Sequence, residues 1–216
     1  MRIILIFDGA GMDRALRTRT PPSILAAAGY ARSALLDAAE RVFVQRGVEA
    51  ADIGDVAAEA GVALQVAVAE FDGKAALLGA LRERFVITFC DRLREAMDRC
   101  RPEDWTGRLR AWVSTGFNGY LDSVALHDVV FHGLPHDRQA HQDNCAIDQL
   151  TELLEGGVAA RAWVTNDPRM TATIFFNALH AAVDRLVVTG EPYDRARPLR
   201  TLIGYFERSV QWWKPC

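Results

Sequence analysis

Asp52-Ile53-Gly54-Asp55-Val56-Ala57-Ala58-Glu59-Ala60-Gly61-Val62-Ala63-Leu64-Gln65-Val66-Ala67-Val68-Ala69-Glu70-Phe71 is the stretch whose reading decides the fold. Asp52 is a residue that caps helix starts, and Asp55 three positions on can answer the backbone of Asp52, so a short helix is expected over Ile53 to Ala60. Val56, Ala57 and Ala60 share its inner face. Ala57 is small enough for a second helix to cross closely, and Gly61 tolerates the positive φ of the turn between them. The second helix is expected at about Leu64 to Glu70. Two short helices joined this way form a helix-turn-helix, whose second helix enters the major groove when the unit binds DNA.

Outward from this stretch, apolar residues recur at helical spacing. Leu35, Leu36, Ala39, Val42 and Phe43 mark a helix that begins at Ser23 or Ala31 and ends at Arg46, before Gly47. Lys74 to about Arg99 reads as one long helix, with Leu78, Leu81, Phe85, Phe89, Leu93 and Met97 along its buried side. Pro102 ends it. Further helices are expected over Asp104 to Leu121, Leu126 to Phe131, Asp137 to Leu154 with Gly156-Gly157 as the stop, Asp167-Pro168 to Val188, and Pro198 to Trp213. No strand-rich region, repeat or low-complexity segment interrupts them. The fold class is all-α.

Several of these positions resemble a known family together. Leu35-Leu36-Asp37-Ala38-Ala39-Glu40-Arg41-Val42-Phe43, Gly47, Asp55-Val56-Ala57, Ala60-Gly61-Val62, then Phe71, Lys74 and Leu77-Leu78 are similar to the N-terminal domain of TetR/AcrR-type repressors. The likeness covers about Ala31 to Leu81 and continues more weakly in Gly156 to Trp163 and Asp167 to His180. It implies three parts: an extension over 1–28, a DNA-binding head over 29–78, and a ligand-binding and dimerisation domain over 79–216. It also implies a homodimer on a palindromic, double-stranded operator, regulated by a small, mostly apolar effector. On that reading Arg32, Ala63, Gln65, Val66, Val68 and Lys74 meet DNA, Gln65 being suited to adenine and the valines to thymine methyls.

The chain departs from the family where DNA would be touched. The usual hydroxyl residue after Gly-Val is Ala63, the usual Gly-Thr-Leu-Tyr run is Gln65-Val66-Ala67-Val68, the frequent His or Tyr before the Phe is Glu70, and the usual capping Thr is Asp52. Between Asp52 and Lys74 five carboxylates face one lysine, a balance that opposes phosphate binding. The alternative expectation is a TetR-fold protein that no longer binds DNA and works as a small-molecule or protein-binding module.

At 216 residues, half of them apolar and with a formal charge of −3, the chain can bury a sizeable core and has no general attraction for nucleic acid. Ile3 to Phe7 is too short to span a membrane and poor as a secretory leader, so a cytoplasmic location is expected. Arg14, Arg17 and Arg19 form a small basic arm of the kind that enters minor grooves, or a solvated tail. Cys90, Cys100, Cys145 and Cys216 are scattered, with no Cys-x-x-Cys pair. They read as reduced thiols, with redox sensing as the alternative.

His127, His132, His136 and His141 crowd together, but their spacing does not put three ligands on one helical face, so no metal is expected. Instead Trp112, Phe117, Tyr120, His127, Phe131, Phe175, Phe176 and His180 are expected to line an effector pocket, an inference that leans on the resemblance; plain core is the alternative. The last two helices are apolar enough to pair with their counterparts in a second copy, through Ala182, Leu186, Leu202, Phe206 and Val210. There is no nucleophile elbow, phosphate-cradling loop or His-Glu-x-x-His, so neither an enzyme nor a bound cofactor is expected.

Overall fold

The computed structural model describes residues 24–132, 144–189 and 194–211, and among these every regular element is helical. In chain order they are α1 (Ile24–Arg46), α2 (Ile53–Ala60), α3 (Leu64–Glu70), α4 (Gly73–Asp98), α5 (Trp105–Asp122), α6 (Val124–His132), α7 (Cys145–Ala159), α8 (Pro168–Thr189) and α9 (Ala196–Val210). The apolar run and arginine arm at the N-terminus, His136, His141, Trp213 and Cys216 lie outside the described residues.

The helix-turn-helix forms through the local chemistry expected of it. The Asp55 amide donates to the Asp52 side chain at 2.9 Å, and the Asp52 amide donates to the Asp55 carboxylate at 3.1 Å, which satisfies two of the free N–H groups at the start of α2. Gly61 ends α2 at φ 68°, in the left-handed region where a Cβ is costly. Leu35, Phe43, Val56, Ala57, Ala67 and Phe71 then bury together with Leu77, Leu78 and Leu81 from the first turns of α4.

This head core is closed by a helix from farther along the chain. Val129 and Val130 of α6 are members of it, so α6 forms part of the head's wall. The 26-residue helix α4 likewise belongs to two cores: Leu77 to Leu81 face the head, whereas Cys90, Leu93 and Met97 face the larger one. The larger core packs α4, α5, α7, α8 and α9 around Trp112, Phe117, Leu150 and Phe175, with Phe175 stacked on Phe206 at 3.9 Å between ring centroids.

Two expectations are corrected. Gly156-Gly157 does not stop α7, which runs on to Ala159. These glycines make room for rings: a Cβ on Gly156 would come within 2.7 Å of Trp105, and one on Gly157 within 2.0 Å of Trp163. Trp163 is buried there and donates its indole N–H to the Leu154 carbonyl at 2.9 Å. The cysteines are not all reduced. Cys90 and Cys145 are joined by a disulfide, their Cα atoms 6.3 Å apart although 55 residues separate them, a juxtaposition that spacing along the chain cannot reveal. Cys100 is a free thiol.

Candidate functional site

The outer surface of the head is built by α3. Only Ala67 of this helix is buried; Leu64, Val66 and Val68 are 48%, 43% and 53% exposed, and Ala63 and Gln65 are exposed beside them. The residues assigned to base contacts therefore stand together on an open, largely apolar face. The cations assigned to phosphates are engaged within the chain. Arg32 donates to Glu70 at 2.8 Å, and its guanidinium lies 4.7 Å from the centre of the Phe71 ring. Lys74 donates to the carbonyls of Val48 at 2.8 Å, Ala51 at 3.1 Å and Glu49 at 3.4 Å, tying the start of α4 to the α1–α2 connection. Arg41 and Arg46 are paired with Glu59 and Asp55 at 2.7 and 2.8 Å, which holds α2 against α1.

A cavity of about 310 Å³ opens between α4, α5, α6, α8 and the start of α7. Tyr120, His127, Phe131, Phe176 and His180 line it, and the structure brings their rings into one cluster of tilted contacts. The Tyr120 ring lies 4.2 Å from His127 and 4.7 Å from His180, with Phe131 and Phe176 at 4.7 and 4.1 Å from the two histidines. The Tyr120 hydroxyl donates to Asp184 at 2.6 Å. Burial, and then this carboxylate, push its pKa well above the usual phenol value, so it remains a donor across the neutral range. Trp112, Phe117 and Phe175, at 1%, 0% and 2% exposure, lie instead in the solid core.

Sequence reasoning missed the wall supplied by α4. Arg82, Phe85, Val86, Phe89 and Cys90 all face the cavity, joined by Asn144 and Ala146 at the start of α7. Their spacing of three, four, seven and eight is one helix face, headed by an arginine where a core stripe would carry an apolar residue. That interruption is the signal that distinguishes a cavity wall from ordinary packing. The Arg82 guanidinium stands 4.9 Å over the Phe131 ring, at the cavity's edge.

Of the residues assigned to a dimer interface, Leu202, Phe206 and Val210 are at 9%, 0% and 2% exposure, packed into the chain's own core. The stripe found in α9 is its inner face. Ala182 and Leu186 of α8 are half-buried against that core, and the large apolar residues on the outside are Met170, Ile174 and Val188 of α8 and Tyr205 of α9. Among the described residues no three His, Cys, Asp or Glu side chains come together as a metal site, and no helix is long and apolar enough to cross a membrane.

Residues 35–81 match the family model described as bacterial regulatory proteins, tetR family. No curated protein matches the chain in sequence. Among solved structures, the fatty acid degradation regulator FadR from Bacillus halodurans is 23% identical with a TM-score of 0.69, the match covering 81% of this chain and 93% of that one. FadR from Bacillus subtilis, solved in complex with stearoyl-CoA, is 19% identical with a TM-score of 0.69 over 81% and 96% of the two chains. A SmeT–triclosan complex is 19% identical with a TM-score of 0.67 over 84% and 92%. The head sequence and the arrangement of the helices behind it agree: residues 35–81 match the tetR family of bacterial regulatory proteins, and the chain shares the overall fold of the solved structures it resembles.

Proposed function

We propose that the protein is a ligand-responsive transcriptional repressor, which as a homodimer binds a palindromic operator through α3 and releases it when a small molecule fills the cavity. The observation that carries this reading is the outward presentation of α3. An exposed helix bearing Leu64, Val66 and Val68 is costly to leave in water, and it suits the methyl-lined major groove of thymine-rich DNA, with Gln65 able to pair with adenine. The basic arm and Arg32 would contribute the phosphate contacts. A twofold axis along the outer faces of α8 and α9, near Ile174, Val188 and Tyr205, would set two α3 helices one DNA turn apart.

The effector is a compact, mostly apolar molecule, aromatic or acyl, with a polar group for the histidines and Asn144. The cluster of aromatic rings and the cavity's size support this, as do the ligands named for the SmeT and Bacillus subtilis FadR structures. Because α4 joins both cores, a ligand against Phe85 and Phe89 would bias the helix that carries Leu77 and Leu81, and differential affinity of a few kcal/mol is enough to shift such an equilibrium.

A second reading is favoured by the engagement of Arg32 and Lys74 inside the chain: a TetR-fold ligand- or protein-binding module that does not bind operator DNA. Selection of fragmented source DNA by the purified dimer, at low and moderate salt, separates the two. Recovery of a palindrome whose affinity falls with salt supports the repressor. Recovery of nothing specific from folded dimer supports the module.

A further inference from the structure

We propose that Cys90 and Cys145 form a reversible redox pair at the cavity wall, oxidised by lipophilic hydroperoxides that enter the cavity and reduced by low-molecular-weight thiols, so that the protein reports oxidants as well as a bound ligand. The pair joins α4 to the first residue of α7. Cys90 itself lines the cavity, and so do Asn144 and Ala146 on either side of Cys145. An apolar molecule held against Phe89 and Phe176 therefore lies beside Cys90, whose sulfur is bonded to that of Cys145.

The two cysteines are placed for different roles. Cys145 occupies the first turn of α7, where the Asn144 side chain accepts from the Ala146 and Ile147 amides and the helix dipole favours negative charge on sulfur. Its thiolate attacks the outer oxygen of the hydroperoxide, the O–O bond breaks, and the alcohol leaves with a proton, which makes Cys145 a sulfenic acid. Cys90 is 6% exposed and directly adjacent. Its sulfur then attacks that of Cys145 and expels water. In sum, two thiols and one hydroperoxide become one disulfide, one alcohol and one water. Two equivalents of a small thiol such as glutathione return the dithiol and leave as their own disulfide.

Opening the bond leaves α7 docked. The Gln149 side-chain amide donates to the Cys90 carbonyl at 3.0 Å, and Ile147, Leu150 and Leu154 remain buried, so reduction frees only the start of α7 against α4. That makes the bond a latch on the cavity wall, fixed to the helix that also enters the head. The inference rests on the proposed function in one respect: a protein acting on chromosomal DNA works where small thiols reduce disulfides, and disulfides found there are mostly transient.

The test uses the full-length protein. It is reduced with glutathione, treated with cumene hydroperoxide or hydrogen peroxide, and followed by alkylation and peptide mass mapping. Expected are loss of the Cys90 and Cys145 thiols with a mapped 90–145 cross-link, at least tenfold faster oxidation by cumene hydroperoxide, and reversal by glutathione. In Cys90→Ser the sulfenic acid on Cys145 should accumulate and be trapped by dimedone. If that variant does not fold, Cys90→Ala, which keeps the wall apolar, gives the same readout. A bond that resists a large excess of glutathione, or oxidation no faster with cumene hydroperoxide than with hydrogen peroxide, overturns the proposal. Operator selection on both forms keeps the two ideas apart: thiols that cycle in a protein recovering no operator remove the repressor and keep the redox pair, whereas inert thiols in an operator-binding protein do the reverse.

Discussion

Glu70, the last residue of α3, accepts a 2.8 Å hydrogen bond from Arg32 of α1, so the carboxylate that would repel a phosphate is neutralised by the cation that would attract one. Both side chains are partly exposed, and the pair contributes less than about 1 kcal/mol to stability. Its loss is expected to matter more for the proposed DNA binding. Glu70→Gln should release Arg32 to phosphate and steepen the salt dependence of DNA affinity by about one unit of slope. Fluorescence anisotropy on a labelled duplex at several salt concentrations measures it. An unchanged slope would mean that Arg32 does not reach DNA even when free.

Lys74 makes the opposite prediction. Its ammonium satisfies partly buried carbonyls of the α1–α2 connection, so Lys74→Met should destabilise the protein by about 1 kcal/mol, the cost of losing charge-assisted hydrogen bonds that water replaces only in part. Denaturant unfolding gives the value. A fully stable Lys74→Met variant with weakened DNA binding would return the lysine to a phosphate-binding role.

Gly157→Ala tests the packing behind the cavity. Its new methyl would meet the Trp163 ring at 2.0 Å, an overlap that requires the indole or α7 to move. A loss of about 2 kcal/mol is expected, as for other overpacked cores, visible as a lower thermal midpoint with a red-shifted tryptophan emission. Gly79, whose added Cβ would meet nothing within 4 Å, is the control.

The raised pKa of Tyr120 sets a pH dependence. Folding favours the neutral phenol, first by burial and then by the Asp184 bond, so the associated stability is complete below the ordinary tyrosine pKa of about 10 and is lost as pH rises beyond it. Ultraviolet titration should find one phenol ionising only with unfolding, and Tyr120→Phe should abolish that step. Ionisation of Tyr120 in the folded protein at its ordinary value would contradict its burial and the Asp184 hydrogen bond.

Chain-local features were legible from sequence. The reciprocal Asp52 and Asp55 caps, the left-handed Gly61 and the helix over Ile53 to Ala60 depend on neighbours within a few positions, and the structure has them as expected. Features set by distant packing were not. Phe175 and Phe176 are adjacent, yet one fills the core and the other faces a void, because the answer lies with α4 and α9. The same limit hid the Cys90–Cys145 bond and turned the inner stripe of α9 into an expected interface. Gly156-Gly157 misled for another reason: glycine marks both helix ends and close ring contacts, and only Trp105 and Trp163 distinguish them.

The helix α6 gives the head a debt to the rest of the chain. Val129 and Val130 seal Phe43 and Leu81, while His127 and Phe131 of the same helix border the cavity. Residues 24–98 expressed alone would bare that seam to water, and such a fragment should clump or melt early. The head of this molecule is thus not a detachable part: its wall is shared with the chamber behind it, and a molecule filling that chamber would lean on the head directly as well as through the length of α4.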